Sequence, residues 1–439
     1  NGPKGGESRL TFSAAKACSL RTVPRSPADS ALLTFTSGST GEPKAVLRTH
    51  GFLRQQLRIL NQVAGLGNDE VDFVAMPMFV LFNLANGITS IIPACDMKHP
   101  GRVDHRVVVQ QLCEEQATRM IASPALLERL AARAAAGVLP AMRCISTGGG
   151  PVSPQLAARL SRIAPASAVR IVYGSTEAEP IACIEVADVS QRSKDKMQQG
   201  GGLVVGLPID GCDVRIIPSR PGQVVPPCAS EEFAALCLPA TENAGIGEIV
   251  VSGKHVLTGY ANAANNAANK IDVAGTIWHR TGDAGYFDDM GRLWLVGRCS
   301  AAIEDSRGTV YPFQVEYAVN AVAGIRRSAL VRHGDKRVLV QETVGRDFRA
   351  ACAAAASCVA NHRIDRIVTV RRIPVDKRHD AKIDYPALRR MLDGSFTRYR
   401  LLLIEHVSRA LTLSSRCVRL FSRFLRRSRA SMRISQQHK

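Results

Sequence analysis

The sequence predicts an α/β fold plus a β subdomain, followed by a small α+β C-terminal domain. Three observations carry that prediction. From Ala31 onward, short apolar runs alternate with helix-period patterns, the signature of a sheet built through helical crossovers. From Val204 to Asp288 the texture changes to short strands, turns and glycines. After Gly297-Arg298 a second module of about 95 residues begins and ends near Leu392.

Taken in order, residues 1–29 are rich in Gly, Ser, Lys and Pro without a sustained period and are expected to be a connecting segment. Ala31–Phe35, Val71–Met76 and Val169–Tyr173 are expected strands, and Pro124–Ala136 and Pro154–Ile163 expected helices. Phe73–Cys95 lacks charge and is long enough for a membrane span. Pro77, Asn83, Asn86, Gly87 and Pro93 interrupt it, so a buried strand and helix are expected instead. The domain boundaries read as 30–297 for the large domain, 298–392 for a mobile C-terminal domain and 393–439 for a basic tail.

At 439 residues, 46% hydrophobic and 22% charged, the chain has the composition of a globular protein with a sizeable core. Its formal net charge of +19 is uneven: Gly394–Lys439 holds ten Arg and one Lys against a single acid, Glu405. The charge therefore argues about the tail, and nucleic acid is not an expected partner of the body. Tyr399–Arg427 sets Leu401, Ile404, Leu411, Val418, Leu420, Phe421, Phe424 and Leu425 among arginines. That pattern suits contact with an anionic membrane or a partner enzyme of a lipid pathway. A solvated helix, a misplaced reading frame and nucleic-acid affinity without function are the alternatives. The twelve Cys show no C-x-x-C pair, which excludes a zinc cage or disulfide framework by spacing and suits reduced thiols in a cytoplasm.

Chemistry concentrates in a few strings. Thr36-Ser37-Gly38-Ser39-Thr40-Gly41-Glu42-Pro43-Lys44 follows a strand and offers hydroxyls, glycine N–H groups and a lysine to phosphate oxygens. The spacing is not that of a Walker loop. Thr147-Gly148-Gly149-Gly150-Pro151 lies between a strand and a helix, as a ligand-lining segment or a simple turn. Met76–Asn83 is an apolar run suited to an alkyl substrate.

With Tyr173-Gly174-Ser175-Thr176-Glu177, Thr281-Gly282-Asp283, Gly297-Arg298 and Pro374–Lys382 in that order, the chain from about 31 to 392 resembles the adenylate-forming enzymes. These include acyl-CoA synthetases, luciferases and peptide-synthetase adenylation domains. The resemblance implies their fold, here without about the first third of the large domain, and the start at Asn1 is accordingly expected to mark a fragment or processed product. It implies ATP and Mg²⁺ as cofactors. Thr36, Ser37, Gly38, Ser39, Thr40, Gly41 and Lys44 would surround phosphates, while Gly148, Gly149, Gly150, Tyr173 and Gly174 would line the nucleotide pocket. Thr176 would donate to the α-phosphate, and Glu177 would be the magnesium carboxylate. Asp283 would bind the ribose diol with its two oxygens. Lys382 would bridge the carboxylate and α-phosphate during adenylation. Activating a carboxylate sets one anion against another, so Lys44, Lys382, Arg298 and Mg²⁺ are the expected cations. Glu177 as a surface acid, Asp283 as a turn residue and Lys377-Arg378 as a solvated charge run remain open alternatives.

After Arg298 the glycine pair that CoA-using relatives carry is absent, and Met76–Asn83 lacks the His common there. With Trp278–Asp283 and the Pro374–Ile383 string, this looks like the β-lactone synthetases of bacterial olefin biosynthesis. The implied substrate is a 2-alkyl-3-hydroxy fatty acid, whose own hydroxyl displaces AMP. A fatty-acyl-CoA or acyl-AMP ligase is the second reading. An inactive fragment with a membrane- or nucleic-acid-binding tail is the third.

Overall fold

The computed structural model describes residues 23–37, 43–97, 99–150, 152–241, 245–344, 348–375 and 383–393. Gly38, Ser39, Thr40, Gly41, Lys382, the 1–22 stretch and the basic tail from 394 onward lie outside the described residues.

A sheet of twelve strands runs through residues 71–298. Five of them, Thr89–Ile91, Val71–Val74, Arg119–Ala122, Cys144–Gly148 and Ala168–Ser175, are parallel neighbours in that spatial order. Both faces of parallel strands are covered by crossover helices, so they read as apolar runs. Phe73, Met120, Ile145 and Val169 are buried accordingly. The crossover helix Pro154–Ile163 shows how locally this is encoded. Ser153 caps its first turn by accepting from Leu156 N at 3.0 Å, Pro154 occupies its first position, and Leu156, Leu160 and Ile163 form its buried stripe. In His50–Ala64, Thr49 caps the start by accepting from Phe52 N at 3.1 Å, and Gly65 ends the helix at φ +54°. A Cβ on Gly65 would lie 2.7 Å from Arg170 Nη1.

Phe73–Cys95 forms a strand, the helix Phe79–Asn86 and a further strand, as its breakers imply. Among the described residues no helix is long and apolar enough to cross a membrane. The expected helix from Pro124 ends at Ala131, earlier than the sequence pattern suggested.

The expected β-rich region continues the same sheet. Ala168–Ser175 turns back antiparallel into Ala178–Glu185, which pairs with Leu203–Pro208. The sheet then continues through Leu293–Arg298, Thr276–Phe287, Gly247–Gly253 and Cys212–Ile217, all antiparallel. The helices Gln191–Gln198 and Ser230–Leu236 interrupt the region. Glu248 and Arg280 meet between two of these strands with both side chains buried, Arg280 donating through Nε at 3.0 Å and Nη2 at 2.5 Å.

Beyond Arg298, the hairpin Ile303–Asp305/Gly308–Val310 leads into the helix Pro312–Asn320 and a three-stranded sheet. Tyr317 donates to Val152 O at 2.9 Å and Gln155 to Ala321 O at 3.1 Å, so this helix rests beside the segment following Gly148–Gly150. Glu316 accepts from Leu330 N at 2.8 Å and from the Tyr385 hydroxyl at 2.6 Å, which anchors the helix Tyr385–Asp393. Burial pushes the Glu316 carboxyl up to about 7.

Removing Glu248 leaves the Arg280 charge buried without its counter-ion, with only the carbonyls of Gln223 and Arg220 as partners. Glu248→Ala is therefore expected to lower the unfolding free energy by about 3–5 kcal/mol, read from urea denaturation. A change within about 0.5 kcal/mol, the size of an inert surface substitution, would contradict this account of the pair.

Candidate active site

The site grows from two hairpins. The first pairs Ser30–Ser37 with Pro43–Thr49, so Thr36 stands opposite Lys44 and Ser37 opposite Pro43. Thr36, Ser37 and Lys44 are thus strand ends and not loop residues, a correction to the expectation of one continuous nine-residue loop. The second is the antiparallel pair Ala168–Ser175/Ala178–Glu185, in which Ser175 faces Ala178 and Thr176-Glu177 form the turn. At Gly174 a Cβ would lie 2.9 Å from Ala178 O, so the returning strand requires the glycine.

Arg48 joins the hairpins. Its side chain is fully buried, Nη1 donating to Thr34 Oγ1 and Nη2 to Thr176 O, each at 2.6 Å. Burial lowers its pKa, while the charges of Glu179 and Glu177 raise it. The turn is also tied to the β-rich region, because Leu257 N donates to Glu177 O at 2.7 Å.

On one side of the turn, Tyr260 donates to Glu177 Oε1 at 2.8 Å. Lys44 is buried, donates to Asn269 Oδ1 at 3.2 Å and lies 5.3 Å from the centre of the Tyr260 ring. On the other side, the Tyr173 hydroxyl donates to Asp283 Oδ2 at 2.9 Å, and Arg298 Nη1 donates to Asp283 Oδ1 at 2.7 Å and Thr281 O at 3.2 Å. Burial and the Asp283 carboxylate hold the Tyr173 phenol protonated. Both Asp283 oxygens therefore already accept from protein donors, and Arg298 is neutralised by Asp283. A ribose would use remaining lone pairs or displace Arg298, whose side chain is half-exposed.

Gly148 stands opposite Val172 in the parallel pair, beside Tyr173. A Cβ there would lie 2.3 Å from Val172 O, whereas at Gly149, φ +71°, it would meet no atom within 4 Å. Thr147 Oγ1 beside them is buried without a hydrogen-bond partner among the described residues. Of the three glycines only Gly149 faces open space. A cavity of about 290 Å³ lies between the helices His50–Ala64 and Phe79–Asn86, lined by Leu53, Leu57, Leu60, Met78, Phe79 and Phe82, with Glu179 in its wall. Burial raises the Glu179 carboxyl to about 7.

The structure thus brings Tyr173, Gly174, Thr176, Glu177, Asp283 and Arg298 to one hairpin, with Gly148–Gly150 beside it and Lys44 linked through Tyr260. Residues 4–261 match the family model described as AMP-binding enzyme. The chain belongs to the AMP-binding enzyme family. It is 33% identical over 372 residues to the olefin beta-lactone synthetase of Stenotrophomonas maltophilia, covering 81% of this chain and 65% of that protein. The corresponding protein of Xanthomonas campestris pv. campestris is likewise 33% identical, over 374 residues, with the same coverage of 81% and 65%. The chain therefore spans a little under two thirds of these relatives. A 2-succinylbenzoate–CoA ligase of Enterococcus faecalis is 26% identical over 70% of this chain and 57% of its own. Among solved structures, ATP-bound MatB from Rhodopseudomonas palustris superposes with TM-score 0.64 at 21% identity, covering 85% of this chain and 70% of that one. The Bacillus subtilis O-succinylbenzoate coenzyme A synthetase complex with AMP gives 0.61 at 21% identity, covering 84% and 70%. The fold is that of the adenylate-forming enzymes.

Within this AMP-binding enzyme the residues absent from the sequence expectations are Arg48, Tyr260, Asn269, Lys270 and Glu179. None belongs to a string with a spacing of its own. Tyr260 and Lys270 are distant in sequence from the turn they serve, and Arg48 reads as one more charge on a strand.

The glycine geometry gives a test. Gly148→Ala places a methyl against backbone and is expected to cost about 1–3 kcal/mol of stability. Gly150→Ala meets only Pro124 at 3.6 Å and should be nearly neutral. Equal melting temperatures for the two variants would contradict the packing described.

Proposed function

We propose that the protein adenylates a fatty-acid-type carboxylate with ATP and closes a 2-alkyl-3-hydroxyacyl adenylate to a β-lactone. The observation that carries this is the largely apolar cavity between the helices His50–Ala64 and Phe79–Asn86, which Met78, Phe79 and Phe82 help to line and whose wall holds Glu179, two residues beyond Glu177. The identity to two olefin beta-lactone synthetases supports it.

In the first step a carboxylate oxygen bonds to the α-phosphorus as the bond to the bridging oxygen breaks, and pyrophosphate leaves with the electron pair. Thr176 at the turn would donate to the α-phosphate. Lys382 would supply a positive charge to the forming bond. Glu177 is a single carboxylate, and no group of three or more His, Cys, Asp or Glu suited to a metal occurs among the described residues. That donor set fits Mg²⁺, which is commonly held by one carboxylate together with substrate phosphates. When bound, Mg²⁺ would neutralise phosphate charge. Tyr260 orients the Glu177 carboxylate for it. In the second step the substrate's 3-hydroxyl oxygen bonds to the acyl carbon, its proton is released, and AMP departs with the electrons of the acyl–phosphate bond. The attack is intramolecular, and the resulting effective molarity offsets ring strain because AMP is a good leaving group.

A CoA-ligase reading is the second one, favoured by the 2-succinylbenzoate–CoA ligase relatives. Opposing it, the segment after Arg298 contains no glycine pair and folds as the short helical turn Cys299–Ala301 and the strand Ile303–Asp305.

Incubation with ATP, Mg²⁺ and a 2-alkyl-3-hydroxy acid is expected to yield pyrophosphate, AMP and a β-lactone without CoA. Acyl-CoA forming at the rate of AMP release, when CoA is added, would overturn the lactone assignment. Lys382→Ala is expected to slow acid-dependent pyrophosphate release by about 100-fold or more, and unchanged release would remove Lys382 from the first step.

A further inference from the structure

Lys270 opens the strand Lys270–Val273 and stands opposite His279 in the neighbouring strand. It is buried, its ammonium donates to Leu257 O, and it lies 5.4 Å from the centre of the Tyr260 ring. Lys44 approaches the same ring from the first hairpin and donates to Asn269, the residue preceding Lys270. Tyr260 in turn donates to Glu177. Two ammonium groups from separate elements therefore share one aromatic ring, with one carboxylate at its hydroxyl end.

A carbonyl and a ring face suffice to seat one buried lysine. They do not account for a second lysine placed alongside it, since like charges in a poorly solvated site destabilise one another. Burial, foremost, and the neighbouring Lys44 bring Lys270 down to about 7 against the opposing pull of Glu177. A cluster of this kind is short of negative charge, and a polyphosphate supplies it. We propose that Lys270 is a catalytic residue of the adenylation step, completing with Lys44 and Glu177 the site for the β- and γ-phosphates and countering the charge of pyrophosphate as it leaves. This rests on the adenylation reading above. No covalent bond to Lys270 is made; it donates hydrogen bonds to the departing oxygens and retains its proton.

The groups facing Lys270 are Glu177 from the turn, Tyr260, Lys44 from the hairpin and His279 from the paired strand. Burial, foremost, together with Lys270 holds His279 neutral, and burial with Glu177 keeps Tyr260 protonated. Lys270 is then the member that changes charge near neutrality. Its pKa is lowered in the free protein, so above about pH 7 it is neutral there. A bound triphosphate raises that pKa, so binding in this range draws one proton from solvent.

The test is ATP binding with Mg²⁺ at pH 8.5, followed by calorimetry in two buffers of different ionisation enthalpy. The full chain should take up close to one proton per ATP, and Lys270→Met and Lys270→Arg none. In steady state, KM for ATP should rise by up to about tenfold per pH unit above 7, flatten in Lys270→Arg, and increase at least about tenfold in Lys270→Met at pH 7, with KM for the acid unchanged. Lys270→Met with the native proton uptake and native KM for ATP would overturn the proposal, as would an equal rise in KM for the acid. Failure of the adenylation reading looks different: the unaltered protein would then bind ATP with proton uptake yet release no pyrophosphate with any fatty acid.

Discussion

A buried guanidinium organises the site. Arg48 connects the Ser30–Ser37/Pro43–Thr49 hairpin to the Thr176-Glu177 turn, which it engages through a backbone carbonyl. Because a buried cation is expensive without partners, the strand that carries Arg48 and the turn that receives it cannot separate without exposing the charge or leaving it unsatisfied. Thr34 Oγ1, Thr176 O and the fields of Glu177 and Glu179 oppose its desolvation without cancelling it, and Nε is buried with no hydrogen-bond partner among the described residues. The orientation of the Thr176 peptide is thereby set before any ligand arrives, which is the condition for electrostatic preorganisation.

From that fixed turn the polar groups divide. Tyr173 reaches Asp283 and Arg298 on adjacent strands, while Glu177 reaches Tyr260 and, through it, two lysines. The division follows from the sheet: Ala168–Ser175 is the last parallel strand, and its antiparallel return makes the turn an edge shared by the α/β layer and the β-rich layer. Ligand sites in open α/β sheets form at such changes of direction, beyond the carboxyl ends of parallel strands. Gly148 ends the neighbouring parallel strand and reaches the same rim.

The strands and helices of the parallel layer were legible because each carries its own local code. Pro154–Ile163 has a cap, a proline and an apolar stripe, and the Phe73–Cys95 breakers divide that run where the structure does. The continuity of the sheet was not legible, since Ala178–Glu185 and Leu203–Pro208 pair through register and not through any motif. Site residues fared alike. Tyr173, Glu177 and Asp283 sit in short strings whose order carries information. That Asp283 is doubly engaged depends on Arg298 lying opposite it across two strands, a relation created by pairing alone. Lys270 carried no signal for the same reason, being an isolated lysine in the sequence whose burial near Lys44 and Glu177 is created by the fold.

The segment after Arg298 shows how a choice of acceptor could be written into backbone. Gly297 has φ +138° with Phe313 Cβ 3.0 Å from where its own Cβ would be, so one glycine is required where the chain leaves the large domain. The residues that follow need no such freedom: Cys299 is buried in a short helical turn, Ile303 pairs with Val310, and Tyr311 is buried ahead of the next helix. In the CoA-ligase reading an external thiol would pass this segment, where small residues and close backbone approach would be favoured. An internal hydroxyl arrives with the acyl chain and makes no demand there. Under intramolecular ring closure, side chains at these positions are free to serve packing, and the filled, glycine-poor segment is what such a reaction allows.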